Sequence, residues 1–147
     1  MSSHFIHVPS VIETRSLDKY ILSWMEGQIF QVEVRESVFL EVADIEEIQT
    51  HKIEMTKGMK YVVFFVCPPF GSLSKEAREF LAQPESNKNA IAKAVFTPNL
   101  GTRMLTDFFI MVNKPPVPHK AFRTKEEAYK WMQEQINTSQ SSYSIQS

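Results

Sequence analysis

The hydrophobic positions fall into short blocks, and the spacing within each block changes along the chain. Residues 29–34 alternate Ile29, Gln31 and Glu33 against Phe30, Val32 and Val34, the two-residue period of a strand. A second apolar run, Tyr20 to Met25, precedes it across Glu26-Gly27-Gln28, so the simplest connection is a hairpin. From about Leu40 to Thr56 the period lengthens: Val42, Ile45, Ile48 and Met55 share a broad side of a helical wheel, while Asp44, Glu46, Glu47 and Glu54 mostly lie elsewhere. Gly58 is placed to cap that helix. Tyr61 to Cys67 is then apolar without alternation and rich in β-branched and aromatic residues, as a strand covered on both faces requires. It is expected to be the central strand.

Pro68, Pro69 and Gly71 stop this strand, and Ser74 can cap a helix through Ala77, Phe80 and Leu81 with Glu76 near its positive end. Pro84 closes it. Ala90 to Phe96 predicts a second buried strand. Thr97-Pro98 then offers an N-cap and a first-turn proline for a helix that spaces Leu100, Met104, Leu105, Phe108, Met111 and Val112 and ends before Pro115. His119 to Phe122 predicts a short strand, and Thr124 to Glu127 is a capping box for a last helix with Ala128, Trp131, Met132, Gln135 and Ile136 inward. The order β-β-α-β-α-β-α-β-α predicts an α/β domain with a mostly parallel sheet of four to five strands, because parallel neighbours need crossover connections. Residues 1–16, interrupted by Pro9, read as a flexible arm, residues 17–136 as one domain, and the polar residues 137–147 as a disordered tail.

The chain has 147 residues, 43% of them hydrophobic, enough for one domain with its own core. Lys plus Arg number 16 against 17 Asp plus Glu, and the signs alternate, so no field gathers nucleic acid or an anionic membrane. No run approaches the roughly 18 apolar residues of a membrane-spanning helix, and the polar start lacks the regions of a signal peptide. The expected location is cytoplasmic, without membrane insertion or nucleic-acid partners. Cys67 is the single cysteine; it excludes an internal disulfide, and its place in a buried strand predicts an inert thiol.

No catalytic constellation emerges. Ser72 and Lys75 spell S-x-x-K, but the companion elements of serine hydrolases of that type are absent. Gly71 to Lys75 lacks the second glycine of a phosphate loop. The four histidines are His4, His7, His51 and His119; only His4 and His7 are close in sequence, and ligation needs three or four converging donors. No metal and no cofactor are expected. The consecutive apolar residues Phe108, Phe109, Ile110, Met111 and Val112 cannot all face one core from a helix. The Trp131 helix, a bound apolar molecule or a second subunit could cover the excess.

Three segments, Ser74 to Phe80, Phe108 to Pro115 and Phe122 to Trp131, resemble an uncharacterised bacterial family of STAS or SpoIIAA-like domains common in the Bacteroidetes. The likeness spans about residues 20–136. It implies a SpoIIAA-like fold and a regulatory role through protein contacts. In the founding STAS members, a serine after the central strand, at a helix start, is phosphorylated. The matching stretch here is Ser72-Leu73-Ser74-Lys75, which puts Lys75 at the acceptor position and leaves Ser72 or Ser74 as substitutes. Where relatives carry an aspartate at the end of the central strand, this chain has Val66. The combined expectation is a non-catalytic binding or regulatory module with an unidentified protein partner, and homodimerisation is a further expectation. Ser72, Ser74, Lys75 and Arg78 form the candidate interaction or phospho-switch surface. Met104, Phe108, Phe109 and Met111 form a candidate apolar interface or pocket. A small apolar-ligand or lipid-binding domain and an enzyme of unrecognised type are the alternatives.

Overall fold

A computed structural model describes residues 8–68, 72–81, 83, 88–104, 107 and 117–146, with Ser72 and residues 141–146 as backbone. The strands are β1 (Val11–Ser16), β2 (Tyr20–Met25), β3 (Ile29–Val34), β4 (Phe39–Leu40), β5 (Tyr61–Val66), β6 (Ser72–Leu73), β7 (Ala90–Phe96) and β8 (His119–Phe122). The helices are α1 (Val42–Thr56), α2 (Lys75–Leu81) and α3 (Lys125–Gln146), and residues 100–104 form a further helical turn.

Six strands make one sheet in the order β1-β2-β3-β5-β7-β8, and β4 and β6 form a small second one. The pairings β1–β2 and β2–β3 are antiparallel, whereas β3–β5, β5–β7 and β7–β8 are parallel. The expected α/β architecture is therefore present, and β5 lies at its centre beside β7. The β2–β3 hairpin closes on Gly27 and Gln28, both at positive φ. A Cβ on Gly27 would meet no atom within 4 Å, so the backbone angle, not space, favours glycine there.

Pleating sends alternate residues of each strand to opposite faces, and each face has its own core. Tyr20, Leu22, Trp24, Phe30, Val32, Tyr61 and Val63 pack with Ile45, Ile48 and Met55 of α1 and Ala77 of α2. Met25, Ile29, Val62, Phe64, Ala92, Ala94 and Phe122 pack on the other face with Ala128, Met132 and Ile136 of α3. Both faces of β5 are thus covered, which accounts for its unbroken apolar run.

Four expectations need correction. Residues 11–16, read as part of an arm, form edge strand β1, and the sheet gains a sixth strand. Its residues are exposed or half-buried, so no apolar period marks it, and the backbone ladder to β2 holds it. Residues 137–146, read as a tail, continue α3; Gln140 reaches back to Gln28 of the hairpin turn at 3.3 Å. The helix after β7 is capped by Asn99, whose Oδ1 accepts from the Thr102 amide at 2.9 Å, and not by Thr97, whose hydroxyl accepts from the Asn99 amide. Finally, α1 begins at Val42 because Leu40 is taken by β4, and it ends in left-handed Lys57, followed by Gly58, also at positive φ.

Candidate functional site

Because β3, β5 and β7 are parallel, their carboxyl ends lie at one end of the sheet, the usual position of sites in open α/β folds. There the chain leaves β3 for β4, β5 for β6, and β7 for the helical turn at 100–104. Strand β4 pairs with β6 through Phe39 with Ser72 and Leu40 with Leu73, and the Ser74 amide donates to Leu40 O at 2.9 Å. Four of the predicted surface residues therefore sit together at the start of α2. The Ser74 hydroxyl accepts from the Ala77 amide at 3.0 Å, the helix cap its position predicts. Lys75 and Arg78 are exposed; Arg78 donates to Leu73 O at 3.1 Å.

Leu100 and Met104, the latter a residue of the candidate apolar interface or pocket, are 61% and 62% exposed, and Phe39 is 49% exposed. The first two are four apart and hence on one side of the helical turn, and that side faces solvent. Phe108, Phe109 and Met111 lie outside the described residues, as do His4 and His7.

A second constellation lies under α1 and α2. Lys52 and Lys93 are each only 6% exposed, and both line a small cavity with Phe30, Val63, Phe65 and Leu81. Lys93 Nζ donates to Leu81 O, at the C-terminal end of α2, at 3.1 Å. Lys52 Nζ stands 5.0 Å above the Tyr61 ring, a cation–π contact. His119 is the register partner of Lys93 on β8, and its Nε2 is buried with no hydrogen-bond partner among the described residues.

Burial, and then the charge of Lys93, pushes the Lys52 ammonium down to about 7. Burial alone brings Lys93 to about 8. Burial and Lys93 take His119 to about 4. Perturbed groups of this kind mark functional-site candidates, but the cavity is about 10 Å³, the space of a single water. No substrate fits beside the two amines as the core stands.

Sequence reading missed this cluster, although a signal was present: Lys52 follows Ile45 and Ile48 at helical spacings of seven and four, and Lys93 interrupts an otherwise apolar strand. At the opposite end of the sheet, a groove of about 310 Å³ is lined by Lys60, Lys88, Asn89, Ile91, Gln135 and Thr138, among others. Its lining is mostly polar, unlike that of an apolar-ligand site.

Other titratable groups serve the scaffold. Asp44, Glu47, His51 and Glu54 form one stripe of α1 that meets the first two strands. Lys19 pairs with Asp44 at 2.9 Å, Tyr20 donates to Glu47, and Arg15 reaches His51 at 2.9 Å and Glu54 at 2.6 Å. Burial raises the Cys67 thiol to about 11, so it stays protonated at neutral pH. Among the described residues no three His, Cys, Asp or Glu side chains gather as a metal site would require, and no helix is long and apolar enough to cross a membrane.

Residues 23–136 match the profile of a family described as a domain of unknown function, DUF7793. Among solved structures the chain is similar to an uncharacterised protein of the DUF3478 family with a SpoIIAA-like fold, from Shewanella loihica. The two share 13% identity at a TM-score of 0.50, over 86% of this chain and 96% of that one. At that identity the likeness establishes the fold alone. No curated protein matches the sequence.

Proposed function

The chain belongs to the DUF7793 family and has a SpoIIAA-like fold, and from that premise we propose a non-catalytic regulatory module of STAS type that binds a protein partner through the carboxyl end of its sheet. The observation that carries this reading is the exposure of Leu100, Met104 and Phe39 at that end, where Lys75 and Arg78 are exposed as well. Large apolar side chains with a polar rim supply the anchors on which binding energy concentrates. Ser72 and Ser74 are the hydroxyls a phospho-switch would use, because a phosphoryl group beside Lys75 and Arg78 would recast the local charge. The filled core under α1 and the polar lining of the larger groove favour this reading over an apolar-ligand carrier.

Affinity capture from the native cells tests it, with the wild type and a Leu100→Glu, Met104→Glu double variant as baits. The wild type is expected to recover a defined partner that the variant loses while its circular dichroism is unchanged. Equal recovery by both baits would overturn the choice of surface, and recovery of none by the wild type would overturn the reading. Phosphopeptides covering Ser72 and Ser74 in the same material are the expected sign of switching.

A further inference from the structure

Strand β1 forms one edge of the main sheet, and the direction of its free hydrogen-bonding groups can be read from its pairing with β2. The Leu17 amide donates to Tyr20 O at 2.9 Å, so Leu17 and Tyr20 form a hydrogen-bonded pair. Bonded and non-bonded pairs alternate along an antiparallel ladder. Arg15 with Leu22 and Glu13 with Trp24 are therefore bonded inward, in the observed register, and the amides and carbonyls of Thr14 and Ser16 point away from β2. The bulge between Val11 and Glu13 ends the regular edge, so what remains open is a short segment centred on Thr14. Beside it Val8, Val11 and Ile12 are exposed apolar residues.

Edges of this kind are usually guarded by charge. Here the charges are Glu13 and Arg15, two residues apart and on the face of the sheet that carries α1, where Arg15 meets Glu13 of its own chain at 2.9 Å and Glu54 at 2.6 Å. If a second copy pairs antiparallel about a two-fold at Thr14, the outward Thr14 groups of the two copies bond each other. Glu13 of each copy then stands opposite Arg15 of the other. A two-fold at Arg15 would instead set arginine against arginine, which costs where the first arrangement stabilises. The two ion pairs of one edge can thus join with those of a second copy into an alternating-charge cluster, which suits the same strand of another copy.

We propose that β1 is a self-association edge, joining two copies of this chain through a Thr14-centred antiparallel pairing into one continuous twelve-stranded sheet. This inference is independent of the partner surface at the carboxyl end of the sheet and leaves that surface free in both copies.

Cross-linking tests the register. Directly opposed, bonded residues have Cα atoms about 5.5 Å apart, a gap that a short thiol-to-thiol cross-linker spans, and Cys67, half-buried with a raised thiol pKa, competes poorly. Thr14→Cys is expected to form a covalent dimer with that reagent, whereas Ser16→Cys, on the same open edge but far from its own copy in this register, is not. No dimer from Thr14→Cys, or equal yields from both, would overturn the proposal. In sedimentation at high micromolar concentration the wild type is expected to be dimeric. Glu13→Lys and Thr14→Pro are expected to be monomeric with unchanged circular dichroism, since the Thr14 amide makes no bond to β2. A monomeric wild type, or variants that remain dimeric, would overturn it equally.

Discussion

Lys52 and Lys93 are buried amines whose charged forms are disfavoured chiefly by burial. Their folded pKa values, about 7 and about 8, lie below the ordinary lysine value. The unfolded chain therefore binds more protons than the native one from near pH 7 up to about pH 10, and stability rises with pH through that window. Each lysine contributes up to about 1.4 kcal/mol per pH unit there. Below the window both states are protonated and the slope from these groups vanishes. Thermal melts between pH 6.5 and 9.5 are expected to show the midpoint climbing, and Lys52→Met should flatten the rise while matching or exceeding the wild type at pH 7, because an apolar replacement removes the buried charge. A midpoint independent of pH would show that the amines are solvated. His119 adds a separate slope at lower pH, between about 4 and its ordinary value.

At the scale of elements, α1 is held by two kinds of contact that face different ways. Ile45, Ile48 and Met55 bury an apolar side, and the acidic stripe Asp44, Glu47 and Glu54 engages β1, β2 and the turn between them. Tyr20 is fully buried apart from its route to Glu47. Glu47→Ala leaves that hydroxyl only a long contact to Asp44 O at 3.5 Å, and it is expected to cost about 1–3 kcal/mol in urea denaturation; a cost near zero would place water at the tyrosine. The elements legible in the sequence are those whose period is imposed by burial or whose ends carry local signals: β2, β3, β5, β7, β8, α1, α2 and the capped start of α3. The missed ones lack such a period. Strand β1 is fixed by a backbone ladder that nearly any residue but proline can supply, and the last turns of α3 expose Asn137, Thr138 and Gln140, so their polar composition carries no burial period. The candidate surface was legible as far as Ser74, since a cap is a local signal. The exposure of Leu100 and Met104 depends on how their helical turn lies against the rest of the fold, and the lysine pair depends on two strands and a helix meeting, which no local window contains.

For the molecule as a whole, a sheet buried on both faces needs both of its covers, yet the two ends of α3 contribute unequally. Ala128, Met132 and Ile136 close the second core over Val62, Phe64, Ala92 and Ala94, whereas beyond Ile136 the described side chains are mostly exposed and Gln140 reaches the hairpin turn at Gln28. Exposed helix without a packed face adds little stability. A chain ending at Asn137 is therefore expected to keep a single cooperative melt within a few degrees of the full chain, losing only some helical dichroism. A chain ending at Thr124 uncovers the central strand on one face and is expected to aggregate or fail to fold, since each large buried side chain left exposed forfeits roughly 1.5–3 kcal/mol. Comparing the two truncations by circular dichroism and sedimentation separates a helix that merely extends from one that closes the core. If the shorter chain folded and stayed soluble without aggregating, α3 would not be the lid of the second core, and the description of β5 as a strand covered on both faces would fall with it.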